Sequence, residues 1–293
     1  MITIQNDNLI VQINELGAQL HSIKRTDQPY EYLWQGQTET SWKRQAPVLF
    51  PFVGRLAYDK YTYKGQEYHQ TQHGFARDKE FSVAKQTADT VTFKLANDDQ
   101  TMSAYPFEFE LLITYRVVND QLLVNYQVQN PSATETLIYG LGAHPGFNMP
   151  LTDGAKFEDG TVTITPGKVM KRFKIADHMS DRAHAFDFDM TKPLALDHEL
   201  FNEDAIVLEL NGEPTTVTLT DPSGNHGVEV SLIDTPFVGI WSAYPNTGNF
   251  VCVEPWWGLA DDVHSDGQLE HKEPMHHLAP NGADSYSFAI KPY

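Results

Sequence analysis

Glu254 ends an apolar run and is followed at once by Pro255, Trp256 and Trp257, in "VCVEPWWG". Successive side chains of a strand point to opposite faces, so Phe250, Cys252 and Glu254 share one face and Val251 and Val253 the other. Both faces read as buried, and a carboxylate there must be paired, be protonated with a raised pKa, or sit at a cleft that uses its charge. Three other segments set polar groups beside glycine, proline and aromatics. "APVLFPFVGRL" (46–56) delivers Arg55 just after Gly54, "QHGFAR" (72–77) carries His73 and Arg77, and "GLGAHPGFNMP" (140–150) carries His144, which Pro145 biases toward extended backbone. A carboxylate and an imidazole, with ordinary pKa values of ~4.3 and ~6.5, make a complementary base and acid near neutral pH.

Each group alone also has a structural reading. A histidine near a strand end is more often a hydrogen-bonded scaffold residue, Arg55 can pair with a surface carboxylate, and Glu254 with a buried arginine. Trp256 and Trp257 serve packing as readily as ligand stacking. Together, two histidines, a glutamate and an arginine in Gly/Pro-rich loops resemble a site assembled from scattered strand ends. Other chemistries find less support. His271, His276 and His277 in "EHKEPMHHL" have no Cys partner and no His-x-x-x-His helix, so no metal is expected. The glycines of "GLGAHPG" do not open a helix after a strand, no Gly-x-Ser-x-Gly elbow occurs, and Cys252 is too enclosed by apolar neighbours for a nucleophile. "DPSGNHG" (221–227) reads as a turn.

The elements that position these groups are strands. Odd positions from Phe107 to Val117 are apolar and even ones include Glu108, Glu110, Thr114 and Arg116. After Asn119-Asp120 the alternation resumes with Leu122, Val124, Tyr126 and Val128, which predicts a long hairpin. Further strands are expected at 90–95, 161–165, 206–210, 216–219, 228–233, 237–243 and 285–290. No stretch of ten residues has sustained helical periodicity, although 197–202 reads as a short helical turn. With no linker or repeat, the expectation is an all-β chain, a large antiparallel β-sandwich forming one domain over residues 1–293.

Composition narrows the partners. A net charge of −18 opposes an extended nucleic-acid or anionic-membrane surface. The single cysteine excludes an intrachain disulfide. No signal peptide or apolar span is visible, so a cytoplasmic protein is expected.

The combination "PVLFPFVGRL", "HGFAR", "GAHPGFN" and "EPWWGLADD" resembles the aldose 1-epimerase family of galactose mutarotases, and its LacX-like subgroup most, over nearly the whole chain. The resemblance implies a β-supersandwich that interconverts the α and β anomers of an aldohexose without cofactor or metal. It implies Glu254 as general base at the anomeric hydroxyl and His144 as general acid at the ring oxygen. His73, Arg55 and Asp204, the last in "FNEDAIVLE", are implied to contact the sugar, and the chemistry of sugar pockets suits Trp256 or Trp257 as a flat apolar face for its C–H groups. Gly54 stands where mutarotases carry Asn, and "HGFAR" also resembles hexose-6-phosphate mutarotases, which makes Arg77 either a phosphate ligand or a structural partner of Asp78. A hexose-6-phosphate 1-epimerase, a glycoside hydrolase using Glu254 with Asp204, Asp261 or Asp262, and a non-catalytic carbohydrate-binding sandwich are the alternatives. The partner in each case is a small sugar, the protein itself being a monomer or homodimer.

Overall fold

The computed structural model describes residues 1–36 and 41–293. Two large antiparallel sheets face each other. One has nine strands in the order Leu194–Ala195, Thr161–Thr165, Thr215–Thr220, Gly227–Leu232, Ala283–Pro292, Gln121–Gln129, Glu110–Val118, Thr90–Ala96 and Ser82–Gln86. The other runs Met179–Asp189, Val169–Ala176, Ile206–Glu209, Phe237–Trp241, Phe250–Trp257, Leu141–Ala143 and Val48–Leu49, with Gly146–Asn148 paired to Phe250–Trp257 off this path. Leu111, Ile113, Val124, Tyr126 and Val230 of the first sheet and Val251, Val253, Val238 and Ile240 of the second belong to one buried core. This is the one-sided strand pattern expected when two sheets bury their inner faces against each other.

The predicted hairpin is Glu110–Val118 with Gln121–Gln129, turned by Asn119 at φ 53°. Two elements escape alternation. The hairpin of Val169–Ala176 and Met179–Asp189 ends the second sheet with a largely solvent-facing edge, so no apolar face marks it. A six-residue helix, Asp99–Ala104, is shorter than the periodicity window and forms behind an Asp98–Thr101 capping box. Among the described residues no helix is long and apolar enough to cross a membrane.

The second sheet positions the candidate groups. Its strand Phe250–Trp257 is buried along its whole length. Inner side chains Val251, Val253 and Trp257 join the main core, while outer ones join separate clusters, Phe250 and Cys252 with Trp34 and Trp42, and Trp256 with Leu49, Phe173 and Phe237. Glu254 therefore lies between two apolar patches on the outer face, as strand parity requires.

Candidate active site

His144 sits between two short strands, Leu141–Ala143 and Gly146–Asn148, that pair along one edge of Phe250–Trp257. Its backbone N–H donates to Pro47 O at 3.1 Å, and Pro145 O accepts from Val253 N at 3.2 Å, so the "HPG" corner is stitched to the glutamate's own strand. Asn148 of the same motif donates to Glu31 O and Leu33 O and fixes the segment that leads to Trp34. A Cβ on Gly146 would lie 2.9 Å from the Trp42 ring and 3.3 Å from Cys252 Sγ, so glycine there lets the indole reach the imidazole.

The result brings His144 Nε2 to 3.2 Å from Glu254 Oε2. The two are close enough for proton transfer but out of hydrogen-bond alignment, a common condition of catalytic pairs without substrate. Both are nearly enclosed, Glu254 at 1% and His144 at 8% exposure. Trp42 stacks on His144 at 4.8 Å between ring centres and Trp241 meets it edge-on at 5.6 Å. His73 stands at right angles to His144 at 5.6 Å. Held at φ 68°, His73 accepts the Gly54 N–H at Nδ1 over 3.0 Å, which puts its own proton on Nε2 and leaves it a donor.

Electrostatics set the protonation. Burial raises the Glu254 pKa well above the carboxylate range, the Asp204 charge raises it further, and the Trp256 indole N–H opposes both. Burial pushes His144 down to about 3, against a raising backbone hydrogen bond and with repulsion from Arg77 and Arg44 adding to the fall. His73 is likewise lowered by burial, by His144 and by the same two arginines. Part of the expectation changes here. The surroundings favour a neutral carboxyl at Glu254 and oppose a standing imidazolium at His144.

The other candidates divide. Asp204, at φ 77°, holds His178 Nδ1 at 2.8 Å and contributes charge at Glu254. Arg77 is partly engaged: Nη2 donates to Gln72 O at 2.5 Å, while Nε is buried without a hydrogen-bond partner 3.7 Å from Asp78, and burial lowers the guanidinium to about 10. Arg55 is half-exposed and 3.7 Å from Asp59, while its carbonyl accepts from Asp261 N. Among the described residues no hydrogen bond or ion pair joins Arg55 to Glu254 or His144. Trp257 faces away, donating to Asp234 O at 3.0 Å and packing on Tyr126 and Tyr286, so a role in stacking on a ligand beside Glu254 is corrected to a core role. The aromatic walls of the site are instead Trp42 and Trp241, which the sequence reading passed over together with Arg44 and His178. Arg44 pairs with Asp78 at 2.9 Å. For the two tryptophans the available signal was "SWKRQ" just before the first Gly/Pro segment and Trp241 ending a strand beside that of Glu254.

A family model described as aldose 1-epimerase matches residues 1–268. The plasmid-borne protein LacX of Lactococcus lactis subsp. lactis is 33% identical, with 99% of this chain and 98% of that protein aligned. The solved structure of a galactose mutarotase related enzyme from Lactobacillus acidophilus superposes with a TM-score of 0.97 at 41% identity, covering 100% of this chain and 97% of that one. A galactose mutarotase-like protein from Lactobacillus casei ATCC 334 superposes with a TM-score of 0.90 at 30% identity, with full coverage of both. This chain belongs to the aldose 1-epimerase family.

Proposed function

We propose that the protein interconverts the α and β anomers of an aldohexose by general acid/base ring opening, with Glu254 and His144 as the reacting pair. The observation that carries this reading is their 3.2 Å separation on the outer face of the second sheet. The anomeric hydroxyl and the ring oxygen hang from one carbon, so two proton-handling groups side by side match them, whereas groups on opposite sides of the ring would not.

In this mechanism the resting proton on Glu254 passes to His144 Nε2, which leaves a carboxylate and an imidazolium. Glu254 then takes the proton of the anomeric hydroxyl as the C1 to ring-oxygen bond breaks, and His144 delivers its proton to the ring oxygen. The open-chain state again has a protonated carboxyl and a neutral imidazole, the same distribution as the empty site. Rotation about C1–C2 and reversal of both transfers close the other anomer. His73, as a neutral donor, and Asp204 read the remaining hydroxyls beside the Trp42 and Trp241 walls. The neutral sugar is the first reading because Arg77 donates to Gln72 O and has the Asp78 carboxylate beside it to offset its charge, although its Nε keeps no hydrogen-bond partner. The positive charge of Arg44 and Arg77 felt at both histidines keeps the 6-phosphate as a second reading.

Exchange NMR between the anomers of glucose, galactose and glucose 6-phosphate tests this. Acceleration is expected for at least one sugar, with a loss of roughly 10²-fold or more in Glu254→Gln, the size of a missing general base. Sugar binding without acceleration would replace the reading with that of a carbohydrate-binding protein.

A further inference from the structure

The outer face of the Glu254 strand carries a third chemically capable side chain that the proposed reaction does not use. Cys252 and Glu254, two residues apart, project from the same side, and His144 approaches both from the adjoining corner. One donor atom from each, an imidazole nitrogen, a thiol sulfur and a carboxylate oxygen, lie within 4.8 Å of one another. Glu254 Oε2 is buried with no hydrogen-bond partner, so it has no bond to surrender on taking a ligand.

We propose that this triad is a site for a borderline-soft divalent cation of the zinc class, and that its occupancy switches the acid/base pair off. The donor set selects the ion. One sulfur, one nitrogen and one oxygen suit zinc and disfavour magnesium or calcium, which require oxygen shells. Bonds of about 2.0–2.3 Å to three such donors place them roughly 3.3–3.8 Å apart. The His144–Glu254 contact has nearly that spacing, and a sulfur within 4.8 Å needs about an ångström of adjustment. Three protein ligands leave the fourth tetrahedral position for water or a sugar hydroxyl. Binding requires the Cys252 thiol and the Glu254 carboxyl to release their protons to solvent, so affinity rises with pH. Once bound, the metal holds the lone pairs that ring opening needs on both Glu254 and His144.

Inhibition rests on the proposed epimerase reading, whereas binding does not, so the test reads binding first. Cobalt(II) is added to untagged full-length protein and absorbance is followed. Because Cys252 is the single cysteine, a sulfur-to-cobalt charge-transfer band in the near ultraviolet reports this site alone, whatever the surface histidines bind. The expected result is that band in wild type, displaced by zinc, weakened in His144→Asn and absent in Cys252→Ala and Cys252→Ser. Zinc should also slow anomer exchange, each variant normalised to its own metal-free rate, at a concentration at least tenfold lower in wild type than in the Cys252 variants. Absence of the band in folded wild type overturns the proposal, and so does equal zinc sensitivity with and without the thiol. If no sugar exchanges at all, the band still decides the metal site.

Discussion

Lys272→Met removes the ammonium that meets Asp261 at 2.9 Å, with side-chain exposures of 3% and 2% for the pair. The ammonium also donates to Leu259 O at 2.9 Å, and burial already pulls its pKa down, offset in part by Asp261. Without it, the Asp261 carboxylate keeps the Ala57 N–H at 2.9 Å as its backbone partner and stays almost fully buried. Breaking a buried pair by deleting one member costs about 3–5 kcal/mol because the other charge is left uncompensated. Over 293 residues, at about 2.1 cal/mol/K each, that lowers Tm by about 5–8 °C. Urea titration and a thermal scan measure it. The double variant Lys272→Met/Asp261→Asn deletes both charges, keeps an acceptor for Ala57, and is expected to regain at least about half of the loss. A single variant costing under about 1 kcal/mol, or a double no better than the single, would refute the assignment of an uncompensated interior charge.

Two further perturbations address the site itself. The rate of anomer exchange is expected to hold steady between about pH 7 and pH 5, through the range where an ordinary histidine titrates, because burial delays protonation of His144 to about 3. Asp204→Asn removes a charge that raises the Glu254 pKa, so the alkaline limb of the profile should move to lower pH, and an unmoved limb would remove Asp204 from the electrostatics of the pair. Gly54→Ala places a Cβ 2.5 Å from the Ala260 Cβ at a residue with φ +71°, and should cost about 2–5 kcal/mol in denaturant titration as left-handed strain and overpacking combine. Loss of stability below about 1 kcal/mol there would show that the 54–55 turn relaxes freely.

Legibility in the sequence followed burial. Strands with one wet and one dry face, such as Gln121–Gln129 and Thr161–Thr165, announce themselves by alternation, and the segment around Glu254 by its conflict with it. The edge hairpin that holds His178 has side chains exposed on both faces and leaves no such trace, although Asp177 and His178 form its turn at φ 51° and 63°. Strand parity already separates Trp256 from Trp257, since only the former shares a side with Glu254. Trp42 stacks on His144, and Arg44 acts on both histidines by its charge, from a connection outside any strand, a placement set by the tertiary fold and not by local pattern. Protonation was the least legible property, because it depends on how thoroughly three segments enclose one imidazole.

The Phe250–Trp257 strand carries its carboxylate on the same backbone that sends Val251 and Val253 into the core between the sheets, whereas His178, Trp42 and Arg44 hang from a hairpin tip and a connecting loop. Under the proposed reaction, ligand preference can therefore drift by editing the tip and loop while proton handling is inherited with the scaffold. Directed evolution toward another sugar should diversify positions 42–44 and 177–178 and leave 250–257 untouched.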